Sequence, residues 1–219
     1  LYGAHDREAF RREHWLALVF GILVTAVCSI AGFLILPALL RLIRTPAELT
    51  GFVTGYLTII LLSLPATFLY NLYSALLRSI GRANAALLAL FAAVSVNLLL
   101  DYWFVAKLQW GISGAAWATA ASQAFSALLC IIYLRHKTPE LLFTCRDCRM
   151  DAALLRQTAH FSFITAMHQS SLYIGKLLVQ GAVNTGGTEM ISAYTATTRI
   201  EGFANSFADS GAAAASVVV

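Results

Sequence analysis

Asn97 and Asp101 stand in the run VNLLLDYWF, Val96 to Phe104, whose other members are all apolar or aromatic. A spacing of four puts both side chains on one face of a helix. An amide beside a carboxylate offers oxygen and nitrogen with a single negative charge. That suits reversible binding of a proton or of a small cation. A second set repeats the spacing, because Glu201, Asn205 and Asp209 in RIEGFANSFADSG also share a face. It reads either as a polar seam against a neighbouring helix or as the wall of a polar cavity. Lys176 lies at nearly the depth of Glu201, within about 6 Å at 1.5 Å of rise per residue, so an ion pair between the two is expected.

Other polar groups are less specific. Thr119, in WGISGAAWATAAS, adds a hydroxyl in the same half of the membrane as Asp101. Its alternative is a hydroxyl bonded back to its own helix. His168, with Gln169, Ser170 and Ser171, reads as a helix-packing patch or as a proton or substrate contact. Asp101 has a rival reading too. It lies about 27 Å along a helix that starts at Ala83, near the outer boundary, where DYWF would form an aromatic belt with a snorkelling acid.

The elements that must position these groups follow from composition. The 219 residues are 59% hydrophobic and 12% charged, against about 25% charged in average soluble domains. With a mean hydropathy of +0.73, the chain reads as an integral membrane protein. Apolar spans run over Trp15–Leu40, Leu49–Leu77, Ala83–Ala106, Leu108–Leu134 and Ala159–Val183, and a sixth starts near Met190. Each is long enough for a hydrocarbon core that takes about 20 helical residues. They must be helices, because an open strand leaves its backbone unpaired in lipid. A charge at the centre of such a helix costs about 2.5–3.5 kcal/mol on insertion scales, so Asp101, Lys176, Arg199, Glu201 and Asp209 each call for a cavity or a partner. Pro65 interrupts the second span and must break a backbone hydrogen bond there.

Residues 135–158 form the one long polar connection. They divide the chain into 1–134, a linker at 135–158, and 159–219. Arg7, Arg11, Arg12, Arg78, Arg82, Arg135, Lys137, Arg146, Arg149 and Arg156 fall on one side of the membrane. Arg41, Arg44 and Lys107 fall on the other. The imbalance places the N-terminal segment and the linker in the cytoplasm. The sequence opens on Leu1 and ends inside an apolar run, so a piece of a longer chain is expected. The four cysteines give no disulfide framework. Cys28 and Cys130 lie in spans, and the CRDC of Cys145 and Cys148 lacks further zinc ligands nearby, so free thiols are expected. There is no basic run with aromatic interleaving and no G-x-x-x-x-G-K-[ST], H-E-x-x-H or G-x-S-x-G. Nucleic acid and ATP are therefore not expected partners, and no soluble catalytic site is encoded.

Taken together and in order, YSALLRSIGRANAA, NLLLDYWF and WGISGAAWATAASQ resemble the multidrug and toxic compound extrusion (MATE) family. LYGAHDREAF and VNTGGTEMISAYTATTRI extend the resemblance over nearly the whole chain. It implies an all-α transporter of twelve helices in two lobes, of which this chain holds helices three to eight. It further implies antiport of cationic lipophilic compounds against inward Na+ or H+ in the cell membrane. No cofactor other than the coupling ion is implied, and a monomer is expected. It places Asn97, Asp101 and Thr119 in the coupling-cation site, with Asn97 and Asp101 holding Na+ if sodium is the ion. Ser171 stands where some members carry a glutamate, so Glu201, Asn205, Asp209 and Lys176 are the weaker set for a second-lobe polar site. A flippase of lipid-linked sugars with the same fold would favour a cationic cavity, toward which Lys176 and Arg199 point. A membrane-embedded enzyme would need Asp101 and His168 close together.

Overall fold

The computed structural model describes residues 7–143 and 152–218. The elements are α1 (Arg7–Leu42), α2 (Ala47–Ser79), α3 (Ala83–Asp101), a π-helical turn over Tyr102–Lys107, α4 (Gly111–Lys137), a short 3-10 turn (Pro139–Leu141), α5 (Ala152–Asn184) and α6 (Gly187–Val218). No strand occurs among the described residues. Helix α5 starts at Ala152, so the stretch up to Thr158, read as linker from its polarity, is already helical. Cys145 and Cys148 lie outside the described residues.

Helices α1, α2 and α4, and α3 together with its π turn, are long and apolar enough to cross a membrane. Helices α5 and α6 are long enough, at 33 and 32 residues, but fall short in apolarity. His160, His168, Gln169 and Lys176 dilute α5, and Arg199, Glu201 and a run of threonines dilute α6. Six spans were expected from length. By length and apolarity together, four stand out among the described residues.

The chain divides into two compact units, Leu1–Pro37 with Gly51–Ala166, and Ala38–Thr50 with Met167–Val219. In the first, Phe10, Tyr73, Leu77, Cys130, Leu134 and Leu141 form a buried core at one end of the bundle. The His14 ring stands edge-on to Tyr73 and Phe143, at centroid distances of 5.5 and 5.1 Å. Pro65 lies inside α2. It has no N–H for the carbonyl of Leu61, one turn back. Ser29 of α1 fills that vacancy, donating its hydroxyl to the Leu61 oxygen at 3.1 Å.

Two helices end in the same way. After α2, Gly81 N–H bonds the Arg78 carbonyl and Arg82 N–H the Leu77 carbonyl, with Gly81 at φ +76°. This is the Schellman arrangement, which calls for a left-handed residue. After α1, Arg44 N–H bonds Arg41 and Thr45 N–H bonds Leu40, but the left-handed residue is Arg44, at φ +51°. In the second unit, Asn184 donates its amide to the carbonyl of Ile43 at 2.6 Å, which satisfies a backbone oxygen at the end of α1. Gln180 in turn donates to the Asn184 side chain at 2.8 Å and fixes its orientation.

Candidate functional site

Helices α3 and α4 pack along a stripe of small residues. Ala86, Ala89 and Ala93 are buried on α3, and Gly114, Ala118, Ser122 and Ser126 are buried on α4. Small side chains let two helix backbones approach closely in a membrane. The Ser126 hydroxyl donates to the Ala89 carbonyl at 3.3 Å, which pins the register. The chain reverses between the two helices, so each turn forward on α3 meets a turn backward on α4. Ser122 then lies level with Ala93, Ala118 with Asn97, and Gly114 with Asp101. Asn97 and Asp101 continue the alanine stripe at i+4 steps, and Thr119 sits next to the residue level with Asn97.

The polar atoms placed here are under-satisfied. Asn97 Nδ2 and Asp101 Oδ1 are buried and have no hydrogen-bond partner among the described residues. Leaving such a group unmet costs about 1–3 kcal/mol, and more when it is charged. The two unmet atoms are complementary in kind, the Asn97 Nδ2 a donor and the Asp101 Oδ1 an acceptor. Thr119 donates its hydroxyl proton to Ala115 O at 3.0 Å. The backbone-bonded alternative thus describes the proton, while the oxygen keeps lone pairs that can accept from a neighbour or face a cation.

Gln123 was missed by the sequence reading. Its Oε1 is also buried without a partner, one turn beyond Thr119 on the same face of α4. The signal was present. Thr119 and Gln123 repeat on α4 the four-residue step that Asn97 and Asp101 make on α3. Beyond Asp101 the chain enters the π turn, where Leu108 N–H reaches back to Trp103 O at 3.0 Å. Tyr102 and Trp103 are 60% and 56% exposed, as an aromatic belt requires. The aromatics of this stretch thus face outward, while the Oδ1 of the acid before them is buried.

The second set is less concentrated. Glu201 and Asn205 are exposed on α6, and the side chain of Asp209 lies outside the described residues. The expected Lys176–Glu201 ion pair is not formed. The ion pairs found among the described residues are Arg7–Glu140 at 3.7 Å and Arg12–Glu8 at 3.5 Å. Matching depth in two helices fixes height but not the rotation about each axis, and that is where the expectation failed. Lys176 instead lies 5.8 Å from the ring centre of Tyr173, on its own helix. Asp101 and His168 belong to different units. Cys28 is exposed and Cys130 buried, both as free thiols.

A family model described as MatE matches residues 1–103. The probable multidrug resistance protein YoeA of Bacillus subtilis is 27% identical over 202 residues, which cover 88% of this chain and 43% of that protein. Human multidrug and toxin extrusion protein 1 is 36% identical over 107 residues, 49% of this chain and 19% of that protein. Among solved structures, the inward-facing conformation of a multidrug resistance MATE family transporter of the MOP superfamily gives a TM-score of 0.83 at 24% identity, over 91% of this chain and 46% of that one. At that identity the likeness shows the fold alone. The chain spans less than half the length of these proteins.

Proposed function

We propose that this chain belongs to the MATE family of membrane transporters and forms the cation-coupling part of a multidrug exporter. Members of this family are transporters and not enzymes, so Asp101 and His168 are not assigned a shared catalytic role. The transported class we infer is cationic and lipophilic, and the exchange is against inward Na+ or H+.

One observation carries the reading. Asp101 Oδ1 and Asn97 Nδ2 are buried without partners among the described residues, on the helix that packs against the one carrying Thr119. Ionised Asp101 attracts a cation, and the Asn97 and Thr119 oxygens complete a neutral shell. A Na+ held there satisfies several acceptors at once, and a proton on Asp101 converts one acceptor into a donor. Either event changes which hydrogen bonds α3 and α4 can make. Transport follows when ion and drug each bind the two transport states with different affinity, because coupling is that difference and nothing else.

The test is dye efflux by the intact transporter that carries this chain, with Na+ and pH varied separately. Asp101→Asn is expected to abolish ion-dependent efflux while membrane insertion is retained. Unchanged resistance together with unchanged ion dependence would remove the assignment.

A further inference from the structure

A second carboxylate lies apart from the α3–α4 seam. Glu13, near the start of α1, accepts a hydrogen bond from the Thr158 hydroxyl of α5, Oγ1 to Oε1 at 2.7 Å. Its other oxygen, Oε2, is buried and has no partner among the described residues. Arg12 pairs with Glu8 and Arg7 with Glu140, while Arg11 donates to the Glu140 carbonyl. Glu13 borders a cavity of about 340 Å³ whose other walls are Leu154, Gln157, Thr158, Phe161 and Ser162. The lining is thus mixed, apolar and aromatic at Leu154 and Phe161, amide and hydroxyl at Gln157, Thr158 and Ser162.

We propose that this cavity is a binding site for protonated organic amines, with Glu13 as the counter-ion. A small rotation of the Glu13 carboxyl brings Oε2, the atom left without a donor, to the cavity, where it accepts an ammonium N–H in a charge-assisted bond. Phe161 supplies a ring face to the cation and, with Leu154, an apolar surface to its hydrocarbon part. Gln157 and Ser162 accept the remaining N–H groups. Desolvating a carboxylate is costly unless a partner arrives, so the site selects charge over shape. The inference rests on the efflux reading for its substrate class. It adds a separate capture point at the end of the chain where Arg7, Arg11 and Arg12 cluster.

Binding is measured on the intact transporter that carries this chain, in nanodiscs, with monodansylcadaverine, a fluorescent primary amine, and its uncharged N-acetyl derivative as control; efflux is read in the dye assay above. Glu13→Gln is expected to weaken binding of the amine by about tenfold or more, equivalent to ~1.4 kcal/mol, and to leave the N-acetyl derivative unaffected. Glu13→Asp, which keeps the charge, should retain most of the affinity, and Thr158→Val should retain it as well. Equal binding by the wild type and Glu13→Gln overturns the site. So does an equal loss of the N-acetyl derivative, which would show a structural effect only. Asp101→Asn separates the two readings. If it removes amine binding and Glu13→Gln does not, the ligand sits on the seam and this site falls while the efflux reading stands. If Glu13→Gln removes binding while Asp101→Asn leaves ion-dependent efflux intact, the amine site stands and the coupling assignment falls.

Discussion

Ser29 of α1 donates its hydroxyl to the Leu61 carbonyl of α2 at 3.1 Å, and that carbonyl is the one Pro65 leaves without a helical donor. Ser29→Ala should therefore destabilise by about 1 kcal/mol, the net value of such a bond. In a Pro65→Ala background the helix can bond Leu61 itself, and the effect of Ser29→Ala should nearly vanish. A double-mutant cycle on unfolding midpoints in detergent measures the coupling. Independent, additive effects would show that Ser29 and Pro65 are unrelated.

The two Schellman ends predict opposite outcomes. A non-glycine residue in the left-handed region costs roughly 1–2 kcal/mol. Arg44→Gly should then stabilise the chain by about 1 kcal/mol, and Gly81→Ala should destabilise it by a similar amount. A thermal series on both variants decides the matter. Destabilisation by Arg44→Gly would mean that the arginine side chain contributes more than its backbone strain costs.

Gly114 sits where α4 leaves the π turn. A Cβ there would lie 3.1 Å from the Cβ atoms of both Phe104 and Trp110 and 3.2 Å from the backbone carbon of Phe104. None of these can swing aside as a side-chain tip could. Phe104 and Trp110 are themselves stacked, with centroids 5.0 Å apart. Gly114→Ala should cost about 1–3 kcal/mol as overpacking, and it should disturb the Asp101 level of the seam. Full stability with normal ion dependence in that variant would contradict the close fit.

For the coupling site, the Thr119 oxygen is expected to matter through its lone pairs, since its proton is already donated to Ala115. Thr119→Ser keeps the oxygen and should keep the ion dependence of efflux. Thr119→Val removes it and should raise the ion concentration needed by about tenfold, or ~1.4 kcal/mol. An identical response to both substitutions would leave the hydroxyl a purely local role.

Much of the helical order was legible because long apolar runs leave the backbone few options. The short connections fell where Arg and Lys cluster, near Arg41 and Arg78. Asn97 and Asp101 were legible from spacing alone, because a four-residue step fixes a shared face. Three things were not legible. The start of α5 at Ala152 was hidden by the polarity of its first turns, since charge marks exposure and not the absence of a helix. The rotation of α5 and α6 about their axes was undetermined, so Lys176 and Glu201 could be matched in height without meeting. Gln123 was overlooked because an amide in a run of small residues carries no charge to flag it. Its four-residue step from Thr119 was there to be read, but the level at which it meets α3 follows only from the Ser126–Ala89 contact.

The π turn over Tyr102–Lys107 bears on how the chain tolerates changes in length. Each turn there holds a residue more than an α turn needs. Loss of one residue within the turn can be absorbed by reversion to α geometry, which leaves the alanines before it and the Gly114 stripe after it in phase. The same deletion inside α3 or α4 would rotate everything downstream by about 100°, turning Asn97 or Thr119 off the seam. Single-residue gaps among related sequences should collect at this corner, and the helices on either side should keep their length.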